Sequence, residues 1–224
     1  MSKKVTVLGV RLDCYSLRGA IGHASKFLNN MTVNVVQMVS LKTINAAADN
    51  EAIKDYLENV DLSVINDVQV IRAADEKLKG RIKEVEEGFF LKAFLKRIRD
   101  NKKSVCILAA SEEDGAKFHD YVRNEGIDLN VVGVFVADPS AENFNWETIA
   151  NDINSKNVGG VISLLDVTLN EEFLREFKSM LSIEVFFGLG DEPEATRNTK
   201  GVFAGLKRRV FKRIINRKVN KNNE

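Results

Sequence analysis

Proline is almost missing from this 224-residue chain: there are two, Pro139 and Pro193, and both fall between predicted elements. Cysteine is as scarce. Cys14 and Cys106 sit in apolar or turn-like settings with no Cys or His at metal-ligand spacing, which excludes a disulfide framework and a zinc motif and reads as two reduced, buried thiols. The two histidines, His23 and His119, stand alone and read as structural or surface residues. No stretch approaches the roughly 20 apolar residues of a membrane span. The basic start MSKK leads only into a strand-length apolar run, followed soon by Arg11 and Asp13, so a secretory signal is not expected. There is no P-loop, no GxGxxG, no Gly-x-Ser-x-Gly elbow and no metal motif. The sequence therefore names no metal and no cofactor.

What is present is ordinary in bulk and uneven in layout. Hydrophobic residues make up 44% and charged residues 29%, which suits a globular α/β protein with a sizeable core. The net charge of +1 conceals a division. Residues 200–224 carry nine Lys/Arg and one acidic residue, a charge of +8, which leaves −7 on the rest. Such a split points to a basic arm with an anionic partner. We read two units, a folded domain over 1–198 and a basic appendage over 199–224.

Short Val, Ile and Leu runs alternate with helical patterns along the domain. The expected strands are Val5–Leu8, Val33–Gln37, Leu62–Ile65, Val105–Ala109, Val131–Val136, Gly160–Leu165 and Glu184–Phe187. Their continuous apolar character is that of strands covered on both faces. The expected helices are Leu17–Leu28 after Ser16, Glu51–Glu58 after Asp49, a run at Val68–Ala73, Phe89–Arg99, Glu112–Asn124 after Ser111, Trp146–Asn154 after Asn145, and one from Leu169 or Asn170 to Leu181. Repeated βα units predict a Rossmann-like, mostly parallel sheet with flanking helices.

The stretch VDLSVINDVQVIRAA (Val60–Ala74) is the most informative for function. A buried strand ends in the polar pair Asn66-Asp67, and a helix resumes at once. In a parallel sheet such groups face the crevice where ligands bind, and a carboxylate there can act as a general base. Read alone, the same pair also suits an Asx turn that caps the next helix.

Together with VTVLGVRLDCYSLRGAIGHASKFL (Val5–Leu28) and TVNVVQMVSLKTINAAADNEAIKDYLENVDLSVIND (Thr32–Asp67), this segment resembles the opening of the TagA/WecG/CpsF family of bacterial glycosyltransferases. The resemblance runs over about residues 4–215. It implies transfer of an N-acetylhexosamine from a UDP-sugar to a polyprenyl-diphosphate-linked acceptor. The family's Thr-x-Asn pattern falls on Met38 and Ser40, and its catalytic Asp-Gly pair falls on Asn66 and Asp67. A one-residue slip leaves Asp67 as the catalytic candidate, with Ser40 and Asn66 as sugar contacts.

Other family signatures are altered. The Val-Thr-Gly-x-Asp segment reads EVEEGFFLKAFL (Glu84–Leu95), with Gly88 kept and Val85 where an Arg is expected. The Leu-Gly-Gly turn reads Leu108-Ala109-Ala110, which puts two methyl groups where backbone would approach a nucleotide. The Gly-x-Gly-Ala-Pro-x-Gln-Glu signature reads Ser163–Asn170, with its glycines and proline replaced. Gly188 and Gly190 in FFGLGDEP match a later Gly-x-Gly turn. Ala109, Ala110, Gly188 and Gly190 join the candidate substrate contacts.

The tail GVFAGLKRRVFKRIINRKVNKNN reads as a basic amphipathic C-terminal helix. Phe203, Leu206, Val210 and Ile214 form its apolar stripe, and Lys207, Arg208, Arg209, Lys212, Arg213 and Arg217 cover the remainder. Such a helix suits an anionic membrane surface. Packing on the acidic domain is the alternative. The resemblance assigns Arg208, Arg209 and Arg213 to the lipid diphosphate. The expected setting is cytoplasmic, peripheral at the inner face of the membrane, with nucleic acid not expected as a partner. So many altered motif positions also admit a catalytically silent homologue, a scaffold or partner of an active glycosyltransferase.

Overall fold

A computed structural model describes residues 4–73, 82, 85 and 88–190. The second predicted unit, with Arg208, Arg209 and Arg213, lies outside the described residues.

The chain opens with a hairpin. Strands β1 (Lys4–Val7) and β2 (Val10–Asp13) pair antiparallel, Val7 with Val10. Leu8 and Gly9 make the two-residue turn with φ of 49° and 84°. Two positive φ values give the twist that lets a two-residue loop join paired strands. A single strand Val5–Leu8 was expected here, and the expectation is corrected. The apolar run is half of a separate two-stranded sheet whose buried Val7, Val10 and Leu12 pack on the main domain.

Six further strands make one parallel sheet. They are β3 (Asn34–Val39), β4 (Leu62–Ile65), β5 (Ser104–Ala109), β6 (Asn130–Val136), β7 (Gly160–Ser163) and β8 (Val185–Gly188), in the spatial order β4-β3-β8-β7-β5-β6. The Rossmann-like α/β reading holds. Helices α1 (Leu17–Phe27), α5 (Phe89–Asp100) and α6 (Glu112–Asn124) pack on one face through Ala24, Phe94 and Phe118. Helices α7 (Trp146–Ser155) and α8 (Val167–Phe177) pack on the other through Ile153 and Phe173. Helices α2 (Leu41–Asp49), α3 (Glu51–Asn59) and α4 (Val68–Ala73) share the third cluster with the hairpin. The ring of Phe94 meets Phe187 edge to face at 5.1 Å, joining α5 to the middle of the sheet.

Several boundaries move for physical reasons. Asn50, not Asp49, caps α3, its side chain accepting the Ala52 amide at 2.9 Å. Helix α8 starts at Val167 because Asp166 caps it through the Leu169 amide at 2.9 Å. It ends at Phe177 in a short 3₁₀ turn, Lys178–Met180. Helix α2 was not foreseen. His23 belongs to α1, stacks on Tyr15 and meets Phe27 edge to face. Both cysteines are free, but only Cys106 is fully buried, while Cys14 is partly exposed.

The two edges of the sheet differ. Beside β4 the hairpin fills in: Asp13 accepts the Ser63 amide at 3.0 Å and takes Lys4 at 3.2 Å. At the far edge β6 pairs with β5 on its inner side, and among the described residues no strand pairs with its outer side.

Candidate functional site

All six parallel strands point the same way, so their carboxyl ends form one rim, where α/β proteins bind ligands. The rim collects Ser40 after β3, Asn66 and Asp67 after β4, Ala110 and Ser111 after β5, Asp166 after β7 and Gly190 after β8.

Ser40, Asn66, Asp67 and Gly190 come together because β4, β3 and β8 are neighbours. Ser40 caps α2 in a reciprocal capping box. Its hydroxyl accepts the Thr43 amide at 3.2 Å, and Thr43 Oγ1 accepts the Ser40 amide at 3.2 Å. The Asp67 carboxylate spans two helix starts. Oδ1 accepts the Gln69 amide of α4 at 2.7 Å, and Oδ2 accepts the Leu41 amide of α2 at 3.2 Å. These are the donors that helix N-termini leave unsatisfied, and a carboxylate there is also favoured by the helix dipole. The Asn66 amide donates to Val39 at 3.1 Å and holds β4 in register. Its side chain is 7% exposed, and Oδ1 has no hydrogen-bond partner. Gly190 has φ of 86°, a conformation that disfavours any side chain, and a Cβ there would lie 3.6 Å from the Met38 carbonyl oxygen.

The remaining candidates lie apart. Ala109 closes β5 and Ala110 follows it, three strands from β3, or about 14 Å at normal strand spacing. Ala109 is fully buried and Ala110 exposed. Gly188 faces inward below the rim, where an added Cβ would collide with Gln37 Oε1. Gly88 adopts φ of 61° at the head of α5.

Two further rim groups are also helix caps. Ser111 caps α6 through the Asp114 amide at 3.2 Å, and Asp166 caps α8. Ser40, Asp67, Ser111 and Asp166 thus each serve the helix that follows their strand.

A buried polar network lies beneath the rim and was not foreseen. Tyr56 of α3 donates its hydroxyl to Gln37 Oε1 at 2.9 Å. Asn170 of α8 reaches the same oxygen at 3.5 Å, and Ser163 donates to Asn170 Oδ1 at 2.6 Å. Burial, and secondarily the charge of Glu171, push the Tyr56 phenol far above its ordinary value, so it stays protonated. The signal was a Gln inside VVQMV and a Ser closing GVIS: polar residues in strands covered on both faces.

Two grooves lie elsewhere. One of about 320 Å³ runs between α3 and α8 and includes Asp55, Tyr56, Glu171 and Arg175. The other, about 490 Å³, lies between α6 and β6. Neither is lined by Ser40, Asn66, Asp67 or Gly190. Among the described residues no group of three or more His, Cys, Asp or Glu could hold a metal ion. No helix among them is long and apolar enough to cross a membrane.

A parallel six-stranded sheet flanked by helices, with a polar rim after β3, β4 and β8, defines a Rossmann-like α/β protein. Residues 5–193 match the family described as Glycosyl transferase WecG/TagA/CpsF family, and the chain belongs to that family. It is also similar to the transcription elongation factor GreA of Acholeplasma laidlawii (strain PG-8A), at 27% identity over 145 residues, which is 64% of this chain and 87% of that protein. The family match covers more of the chain and carries the functional reading.

Proposed function

We propose that this family member serves bacterial surface-polysaccharide synthesis as a catalytically silent homologue, a scaffold or partner of an active glycosyltransferase. The observation that carries this reading is the placement of Asp67. It is the carboxylate next to Asn66, the residue on which the family's catalytic Asp falls, and both of its oxygens accept amides that hold α2 and α4. Asn66 carries a carboxamide, which is too weak a base to take a proton from an acceptor hydroxyl. General-base catalysis supplies roughly 10²–10⁴-fold in rate, so replacing the family's aspartate by Asn66 removes most of the turnover unless Asp67 takes over the role. The alanines at 109 and 110, and the use of Ser111 and Asp166 as caps, weigh the same way against a phosphate cradle.

A second reading keeps the enzyme active. Asp67 lies beside Ser40 and Asn66 at the rim, where it would deprotonate an acceptor hydroxyl while those two hold the N-acetylhexosamine of a UDP-sugar. In both readings the tail, through Arg208, Arg209 and Arg213, would meet an anionic membrane surface at the inner face, or a lipid diphosphate.

Calorimetric titration of the full chain with UDP-N-acetylglucosamine and UDP-N-acetylmannosamine separates the two. The silent reading expects no saturable heat at micromolar donor. Micromolar binding at one site per chain would favour the active reading.

A further inference from the structure

The groove between α3 and α8 is a seam that two neighbouring helices leave open. Helices on one face of a sheet ordinarily interlock there through apolar side chains spaced three and four residues apart. Here that spacing presents Asp55, Tyr56 and Asn59 from α3, and Glu171, Leu174 and Arg175 from α8. Charged and polar groups stand where apolar ones would close the seam. A space of about 320 Å³ remains over Val35 of β3, within the size range of small-molecule sites.

Glu171 is the costly member of this set. It is 7% exposed, and a carboxylate has about four acceptor sites. Among the described residues only Arg175 donates to it, through Nη1 alone, at 3.0 Å from Oε1 and 2.9 Å from Oε2. One nitrogen thus serves both oxygens, and the Arg175 side chain is itself 55% exposed. The neighbouring Tyr56 gives its hydroxyl to Gln37 instead. A buried carboxylate is destabilising unless donors meet its oxygens. Glu171 lines the groove, so a ligand there can supply the donors that the protein does not.

The ion pairs set the sign of that ligand. Arg175 is held by Glu171, and Lys178 by Asp61 at 3.4 Å. Asp55 has no cation within ion-pair distance among the described residues; its Oδ1 accepts the Asn59 side-chain amide at 2.9 Å. One negative charge in the groove is therefore uncompensated.

We propose that this groove binds a small organic cation, a primary ammonium or guanidinium on a short aliphatic body. The cationic head lies between Asp55 and Glu171, and the body lies against Val35, Val60 and Leu174. Ser40, Asn66, Asp67 and Gly190 do not line the groove, so its occupancy is separate from sugar-nucleotide binding at the rim.

The test is amide NMR on the ¹⁵N-labelled full chain, titrated at constant ionic strength with butylguanidinium, butylammonium and, as the neutral control, butan-1-ol. The two cations should shift the amides of Asp55, Tyr56, Glu171 and Leu174 along one saturating curve with a millimolar Kd, as expected for so small a ligand. Butan-1-ol should not. Asp55→Asn keeps the oxygen that Asn59 uses and removes the charge, and should weaken binding about tenfold. Glu171→Gln, similar in shape, should do the same. Arg175→Met keeps the aliphatic stem and removes the competing cation, so it should tighten binding. The proposal would be overturned by an absence of saturable shifts up to about 50 mM butylguanidinium. Equal shifts with butan-1-ol, unchanged affinity in Asp55→Asn, or weaker binding by Arg175→Met would overturn it equally.

Discussion

Asp67 accepts the backbone amide of Leu41 at 3.2 Å, across 26 residues of chain. That bond ties the start of α2 to the start of α4, which Asp67 caps through Gln69. Loss of a helix cap costs about 0.5–2 kcal/mol. Asp67→Ala should therefore lower unfolding stability by about 1–2 kcal/mol in urea titration. Asp67→Asn, which keeps one oxygen acceptor, should lose less. Equal stability of the wild type and the alanine variant would show that the two bonds contribute nothing to the fold.

Gly188 lies where β8 passes Gln37 and Asn170, and the space for a Cβ is already taken by the Gln37 side-chain amide. Gly188→Ala must displace a buried hydrogen-bonded group, and overpacking of this kind costs about 1–3 kcal/mol. The midpoint of thermal unfolding should fall accordingly. An unchanged midpoint would mean that the Gln37 network yields without cost.

Tyr56 supplies the shorter of the two hydrogen bonds that Gln37 Oε1 accepts. Tyr56→Phe leaves that buried oxygen with only the 3.5 Å contact to Asn170. An under-satisfied buried acceptor costs roughly 1–3 kcal/mol. Chemical denaturation should show a loss in this range, and Gln37→Leu combined with Tyr56→Phe should recover part of it. If the double variant loses the sum of the two single losses, the pair is not coupled.

Burial raises the Cys106 thiol from its ordinary 9.0 to about 11, with Lys156 partly opposing. The folded state therefore holds this proton more tightly than the unfolded chain. Its contribution to stability is complete below pH 9 and is lost as the pH rises towards 11. Stability should decline across that window, and Cys106→Ala should flatten the decline. At neutral pH, iodoacetamide should label the partly exposed Cys14 and spare Cys106 until the protein unfolds. Equal labelling of both in the native protein would contradict the burial.

The strands were legible because both faces of the sheet are covered, which leaves near-continuous apolar runs. Val105–Ala109 was expected and Ser104–Ala109 is found; Leu62–Ile65 is found as expected. The hairpin was missed because its turn is Leu8-Gly9 rather than a pair that signals positive φ at both positions. The start of α8 was placed late because Val167 and Thr168 are β-branched and hide the cap at Asp166. The resemblance named Ser40, Asn66, Asp67 and Gly190, which follow the neighbouring strands β3, β4 and β8, but also Ala109 and Ala110, which lie three strands from β3. What each side chain is bonded to was not legible. The partner of Asp67 across the rim is Leu41, and only the parallel pairing of β3 with β4 makes them neighbours.

The measurement that bears most directly on this account is a transfer assay. The full chain is incubated with UDP-N-acetylmannosamine or UDP-N-acetylglucosamine and a polyprenyl-diphosphate-linked sugar acceptor, with Asp67→Asn alongside. We expect no lipid-linked product above background from either protein. Repeated turnover by the wild type that Asp67→Asn abolishes would contradict the account and make Asp67 the base.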